Sequence, residues 1–102
     1  MDLTGKQKRY LRAQAVTIKP VVQIGKAGLT NEILDSVRAA VDSRELIKIQ
    51  ILQNSDATTA EVAEMCERMG FDVVQIIGRH IIIFKVASLF KNRKLSTAVK
   101  EL

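Results

Sequence analysis

The chain has 102 residues, of which 47% are apolar and 26% charged, with a formal net charge of +5. That balance describes one globular domain with room for a core and excludes an intrinsically disordered chain. A single cysteine, Cys66, excludes an internal disulfide and suits a reducing cytoplasm, and one cysteine with one histidine leaves no clustered ligand set for a metal.

Leu3-Thr4-Gly5-Lys6-Gln7 predicts a helix start, with Thr4 and Gln7 spaced as a capping box. At 100° per residue Leu3, Tyr10 and Leu11 share one side of this helix, and Lys8, Arg9 and Arg12 share the other, with Lys6 at the margin. The β-branched run Val16-Thr17-Ile18 and Pro20 end it. Val21 to Ile24 then predicts a short strand. Ile33, Leu34, Val37, Ala40 and Val41 repeat with helical spacing and predict an amphipathic helix from about Thr30 to Ser43.

Leu46 to Leu52 alternates as a strand, with Ile47, Ile49 and Ile51 on one face. Thr58 and Glu61 are spaced as a second capping box, and the stripe Val62, Met65, Cys66, Met69 stops at Gly70. Phe71 to Ile77 and His80 to Val86 form a hairpin through Gly78-Arg79. Residues 87–102 are basic and weakly patterned, a tail with some helix near its end. The order α-β-α-β-α-β-β predicts an α+β fold, a two-layer α/β sandwich in which two helices pack on one face of a small mixed sheet. Residues 1–86 make the domain and 87–102 the tail. The N-terminal segment has no apolar core for a secretory signal, and the apolar runs are far shorter than the ~20 residues of a membrane span.

Charge is unevenly distributed. Residues 1–30 hold six bases against Asp2, residues 31–72 hold nine acids against four bases, and residues 73–102 hold six bases against Glu101. Basic ends around an acidic middle imply a polyanionic partner, with the acids carried outward on the second and third helices. The segment VVQIGKAGLTNEIL fits that partner. Gly25, Lys26, Ala27 and Gly28 follow a strand and open a helix, where backbone N–H groups and the positive end of the helix dipole face outward. Glycines at both ends of this turn permit close approach, Lys26 adds a full charge, and Thr30 adds a hydroxyl at the cap. The spacing suits one phosphate of a chain and not a nucleoside triphosphate, since neither G-x-x-x-x-G-K-[ST] nor G-x-G-x-x-G is present. A G-x-x-G serving only as a strand-to-helix turn is the plainer alternative. Lys19, Arg79 and Lys85 are further candidates for phosphate contact, and Lys48, Gln50 and Lys85 are assigned to a less covered sheet face.

No nucleophile, base and orienting group are arranged for catalysis. Asp56, Glu61, Glu64 and Glu67 read as a solvated helix start and face, Cys66 as core and His80 as a strand-edge residue. The four aromatics are too scattered for a base-stacking sheet. An enzyme is therefore not expected, nor is a cofactor, a metal or a small-molecule substrate.

Three segments in this order, VVQIGKAGLTNEIL, ELIKIQIL and VVQIIGRHIIIFK, together with LTGKQKRYLRAQA at the start, resemble the CRM domain (chloroplast RNA splicing and ribosome maturation) in its stand-alone bacterial YhbY-type form. The resemblance covers roughly residues 3–86. It implies a fold similar to the C-terminal domain of translation initiation factor three, with strand order 1-2-4-3 and strand 4 antiparallel. It implies a non-catalytic RNA-binding protein that associates with large-subunit ribosomal RNA in the pre-ribosomal particle and assists ribosome assembly; a cytoplasmic location is expected from the cysteine usage, and a monomer is favoured. The family's G-x-x-G loop maps onto Gly25, Lys26, Ala27 and Gly28, and its basic first-helix positions onto Lys6, Lys8, Arg9 and Arg12. Many members have glycine where Ala27 stands and Tyr-Arg where this chain has Phe84-Lys85. The rival expectation from the residues alone is a protein-interaction adaptor whose basic surface meets an acidic partner.

Overall fold

The computed structural model describes all residues from Met1 to Leu102. Four helices, α1 (Gly5–Ala15), α2 (Asn31–Arg44), α3 (Thr59–Arg68) and α4 (Leu95–Lys100), accompany four strands, β1 (Val22–Ile24), β2 (Leu46–Ile51), β3 (Asp72–Ile77) and β4 (His80–Phe84). A 3-10 turn spans Phe90–Asn92. The strands form one sheet in the order β1-β2-β4-β3, with β1 parallel to β2 and β4 antiparallel to both of its neighbours. This is the order and direction that the resemblance implies.

Local chemistry sets the helix starts. The Thr4 hydroxyl accepts from the Gln7 amide at 3.1 Å while the Gln7 side chain accepts from the Thr4 amide at 2.9 Å. Thr58 and Glu61 exchange the same pair of bonds at 3.1 and 3.2 Å. Each cap is worth about 1 kcal/mol. Both boxes form where their spacing predicts them, and Gly70, at φ +88°, follows α3 as expected.

Strand alternation divides the interior into two parts. Val22, Ile24, Ile47, Ile49, Ile51, Ile81 and Ile83 face α2 and α3 and close on Val37, Val41, Val62 and Cys66. The other face carries Leu46, Val74, Ile82 and Phe84, which pack with Leu11 and Ala15 of α1 and Val99 of α4. So α2 and α3 make the expected helical layer, and α1 and α4 cover part of the opposite sheet face. A register shift between Val73 and Gln75, which pair with the adjacent Ile83 and Ile82, leaves Val74 as an extra residue of β3. Cys66 is fully buried, and burial, aided by the charge of Glu67, pushes its thiol up to about 12, which removes it from nucleophilic chemistry.

Residues 87–102, read from the sequence as a basic tail, pack against the domain. Ala87, Ser96 and Val99 are buried, and their anchor is Glu45, itself fully buried. Its carboxylate accepts from the Ala87 amide at 2.8 Å and from the Lys94 and Ser96 amides at 3.0 Å each. Burial pushes this carboxyl up, but the contacts from Ser96, Ala87 and Lys94 outweigh it and hold the group below the ordinary range. Glu45 also stands at φ +68°, a strained position for a residue with a Cβ, and the three amide bonds over-determine it. At the far end of the segment the buried Gln7 side chain donates to the Val99 carbonyl at 3.0 Å. No helix is long and apolar enough to cross a membrane.

Candidate nucleic-acid interface

The glycine turn begins where β1 leaves the sheet. The Gly28 amide donates to the Gly25 carbonyl at 3.0 Å, closing a turn with Lys26 and Ala27 exposed at its tip. Gly28 has φ +73°, and a Cβ there would meet no atom within 4 Å. The backbone therefore demands glycine at 28 for conformation, and the space above it is open. Gly25 differs: its φ is unexceptional, and a Cβ would make only ordinary contact with Leu52 at 3.9 Å.

The Gly28 amide is consumed by the turn and the Thr30 amide by the Gly28 carbonyl at 3.0 Å. The donors left without an intrachain acceptor are the amides of Gly25, Lys26, Ala27 and Leu29 and those of Asn31 and Glu32 in the first turn of α2. The Thr30 hydroxyl caps α2 by accepting from the Ile33 amide at 3.2 Å and keeps its own proton to donate. These donors together form an edge of free amides at the positive end of a 14-residue helix.

The cations of α1 lie across the sheet. Lys6, Lys8 and Arg9 are exposed, and Arg12 leans over the end of α1 to line a 60 Å³ cleft with Ala15, Val16, Lys48, Gln75, Ile77 and Ile82. The molecule's four ion pairs join the N-terminus to Asp72, Arg38 to Asp35, Arg68 to Glu64 and Lys85 to Asp42, so Lys6, Lys8, Arg9, Arg12, Lys19 and Lys26 form no ion pair. A continuous sheet surface connects α1 to the turn. Lys48 and Gln50 lie on the same face of β2, the Gln23 side-chain amide donates to the Gln50 side-chain carbonyl at 3.1 Å, and Gly25 follows Gln23 by two residues. Arg79 stands at the same sheet end, where its guanidinium donates to the Leu52 carbonyl at 3.1 Å and its own carbonyl accepts from the Ile51 amide at 2.8 Å.

Lys85 is located elsewhere. Expected on the open sheet face with Lys48 and Gln50, it falls after β4 on the α2 side, where its ammonium is held by the Asp42 carboxylate and the Ser88 hydroxyl. The bonds from Lys85 and then from Ser88 hold the Asp42 carboxyl at about 2, well below its ordinary 3.8. The odd–even alternation of β4 carries this signal, because Ile81 and Ile83 already assign odd positions to the α2 side. Gln23 joins this face through its bond to Gln50 on the neighbouring strand and carries no motif of its own in the sequence.

The family model for the CRS1/YhbY (CRM) domain matches residues 3–85. The chain belongs to that family. CRM relatives include the Bacillus subtilis "Probable RNA-binding protein YqeI", 39% identical over 84 residues that make up 81% of this chain and 88% of that one. The Pseudomonas aeruginosa "Probable RNA-binding protein PA4753" is 31% identical over 86 residues, 83% of each chain. The solution structure of protein SAV1595 from Staphylococcus aureus superposes with a TM-score of 0.72 at 39% identity, covering 91% of this chain and 98% of that one. These relatives are named for binding and not for catalysis, in agreement with the lack of a catalytic set in the sequence. The CRM match ends at residue 85, just before the segment that Glu45 anchors.

Proposed function

We propose that this protein binds RNA through phosphate contacts at the glycine turn and the first helix, that its target is ribosomal RNA of the large-subunit precursor, and that it assists ribosome assembly. The observation that supports this most directly is the edge of free amides from Lys26 to Glu32 beside an open Gly28, continuous along the sheet with the unpaired cations of α1. Such an edge recognises an anion without chemistry on it, and a spread of separate cations matches a chain of phosphates better than one isolated anion. RNA is favoured over other polyanions by the CRM membership and by the names of the relatives. The large-subunit precursor rests on the family resemblance.

Crosslinking the protein to RNA in cells and sequencing the attached fragments tests both levels. The expected result is enrichment of precursor large-subunit ribosomal RNA, with crosslinks on residues 6–12 and 25–30. Fragments from unrelated RNAs in proportion to their abundance would remove the ribosomal assignment. An association that survives nuclease digestion would replace RNA with an acidic protein partner.

A further inference from the structure

The sheet face towards α1 is left uncovered at the end beside the glycine turn, and its composition is specific. Register aligns Gln23 of β1, Gln50 of β2, His80 of β4 and Ile77 of β3 in one row across the sheet. The next row holds Lys48, Ile82 and Gln75. Gln23 is exposed, Gln50, His80, Lys48 and Gln75 are half-buried, and Ile77 is 53% exposed. No acidic residue stands in either row. The Gln23–Gln50 hydrogen bond uses one donor and one acceptor and leaves the Gln23 carbonyl and the Gln50 amide N–H groups free at the surface.

We infer that the Gln23–Gln50 pair, with His80 beside it, is a base-reading surface for single-stranded RNA, set next to the phosphate-holding turn. The inference rests on the function proposed above. A glutamine amide presents a donor and an acceptor side by side, which matches the edge of an unpaired base and of adenine in particular. Stacking on phenylalanine or tyrosine does not compete as the mode of recognition here. Phe71 and Phe84 are buried, Tyr10 of α1 packs against the core beneath that helix, and Phe90 lies on the 3-10 turn beyond the opposite end of β4. Gln23 and Gly25 are about 7 Å apart along the strand, comparable with one nucleotide step of an unstacked chain. A phosphate held at the turn therefore puts the neighbouring base over the two glutamines. Arg12 and Lys48 flank the surface on the α1 side and Arg79 flanks it at the hairpin.

The experiment measures binding of the full chain to the single-stranded oligonucleotides A12, C12 and U12, for wild type, Gln23→Ala/Gln50→Ala and Gly28→Asp. The wild type should prefer one base over the weakest by about 5- to 150-fold, the discrimination of a well-made bidentate contact. The double variant should bind all three within about two-fold, with an unchanged salt dependence. Gly28→Asp should weaken all three alike and so reports on the phosphate contacts separately. Equal discrimination by wild type and double variant overturns the inference and leaves the phosphate reading intact, as does a wild type that binds all three alike. A wild type that binds none removes both. Should the double variant fail to fold, Gln23→Ala alone, at an exposed position, is read in the same way.

Discussion

Replacing Gly28 by Asp separates a turn that merely redirects the chain from one that holds phosphate. The backbone at 28 has φ +73°, so any side chain there costs about 1 kcal/mol, and Asp and Asn tolerate this region better than most residues. No atom lies within 4 Å of the added Cβ, so no further clash arises. Against a total stability of roughly 5–15 kcal/mol the variant stays folded. Its carboxylate stands beside the free amides of Lys26, Ala27 and Leu29, within about 6 Å of a phosphate bound there. Two unit negative charges at that separation repel by about 1–3 kcal/mol, a loss of roughly 5- to 150-fold in affinity. Gly28→Asn carries the same backbone strain without the charge, so the two variants should unfold at the same urea concentration while only Asp loses most of the binding. Fluorescence anisotropy with a labelled single-stranded RNA near 0.1 M salt reads the affinity. Equal affinity of the Asp variant and the wild type, with both folded, would reduce the glycine pair to a turn.

Three other outcomes follow from the same geometry. Neutralising about four phosphates gives a log–log salt slope near −3 for a single strand, and Lys8→Ala/Arg9→Ala should lower its magnitude by about 1.4; a flat dependence would favour a protein partner. Glu45→Gln keeps the oxygen shared by Lys94 and Ser96 but turns an amide group towards the Ala87 N–H, so urea denaturation should show a loss of about 2–4 kcal/mol with faster hydrogen exchange in residues 87–102; a loss under about 0.5 kcal/mol would mean the segment is held by packing alone. Because the Asp42 carboxyl is depressed to about 2 in the folded state, the stability that its pair with Lys85 adds is fully present above the ordinary 3.8 and disappears as the pH falls through about 2. Asp42→Asn should remove that part of the acid-denaturation curve, and an unaltered acid limb would place the loss in another carboxylate.

Features governed by residues close together in the chain are legible in the sequence. Capping boxes at Thr4 and Thr58, the strand alternation of Ile47, Ile49 and Ile51, the Gly70 stop and the Gly78-Arg79 hairpin are each set within a few residues by dihedral and hydrogen-bond preferences. The glycine turn between β1 and α2 was legible for the same reason. Which of its amides remain free was not, because the bond from Gly28 to Gly25 depends on how the turn closes.

The rest required contacts between distant segments. Glu45 reads as an acid misplaced against the dipole at the end of α2, and its role appears only when residues 87, 94 and 96 come to it from more than forty positions away. Lys85 looks like any exposed base until Asp42 is brought beside it by the packing of α2 on the sheet. Gln23 acquires a partner only through the parallel pairing of β1 with β2. The sequence thus determined the elements, the two apolar faces and the basic character of the ends, since those depend on local preference and on burial by hydrophobicity. Tertiary structure alone decided which charges stay free, because a charge is neutralised by whatever the fold sets within about 4 Å of it, and a single pattern of residue types says nothing about that neighbour.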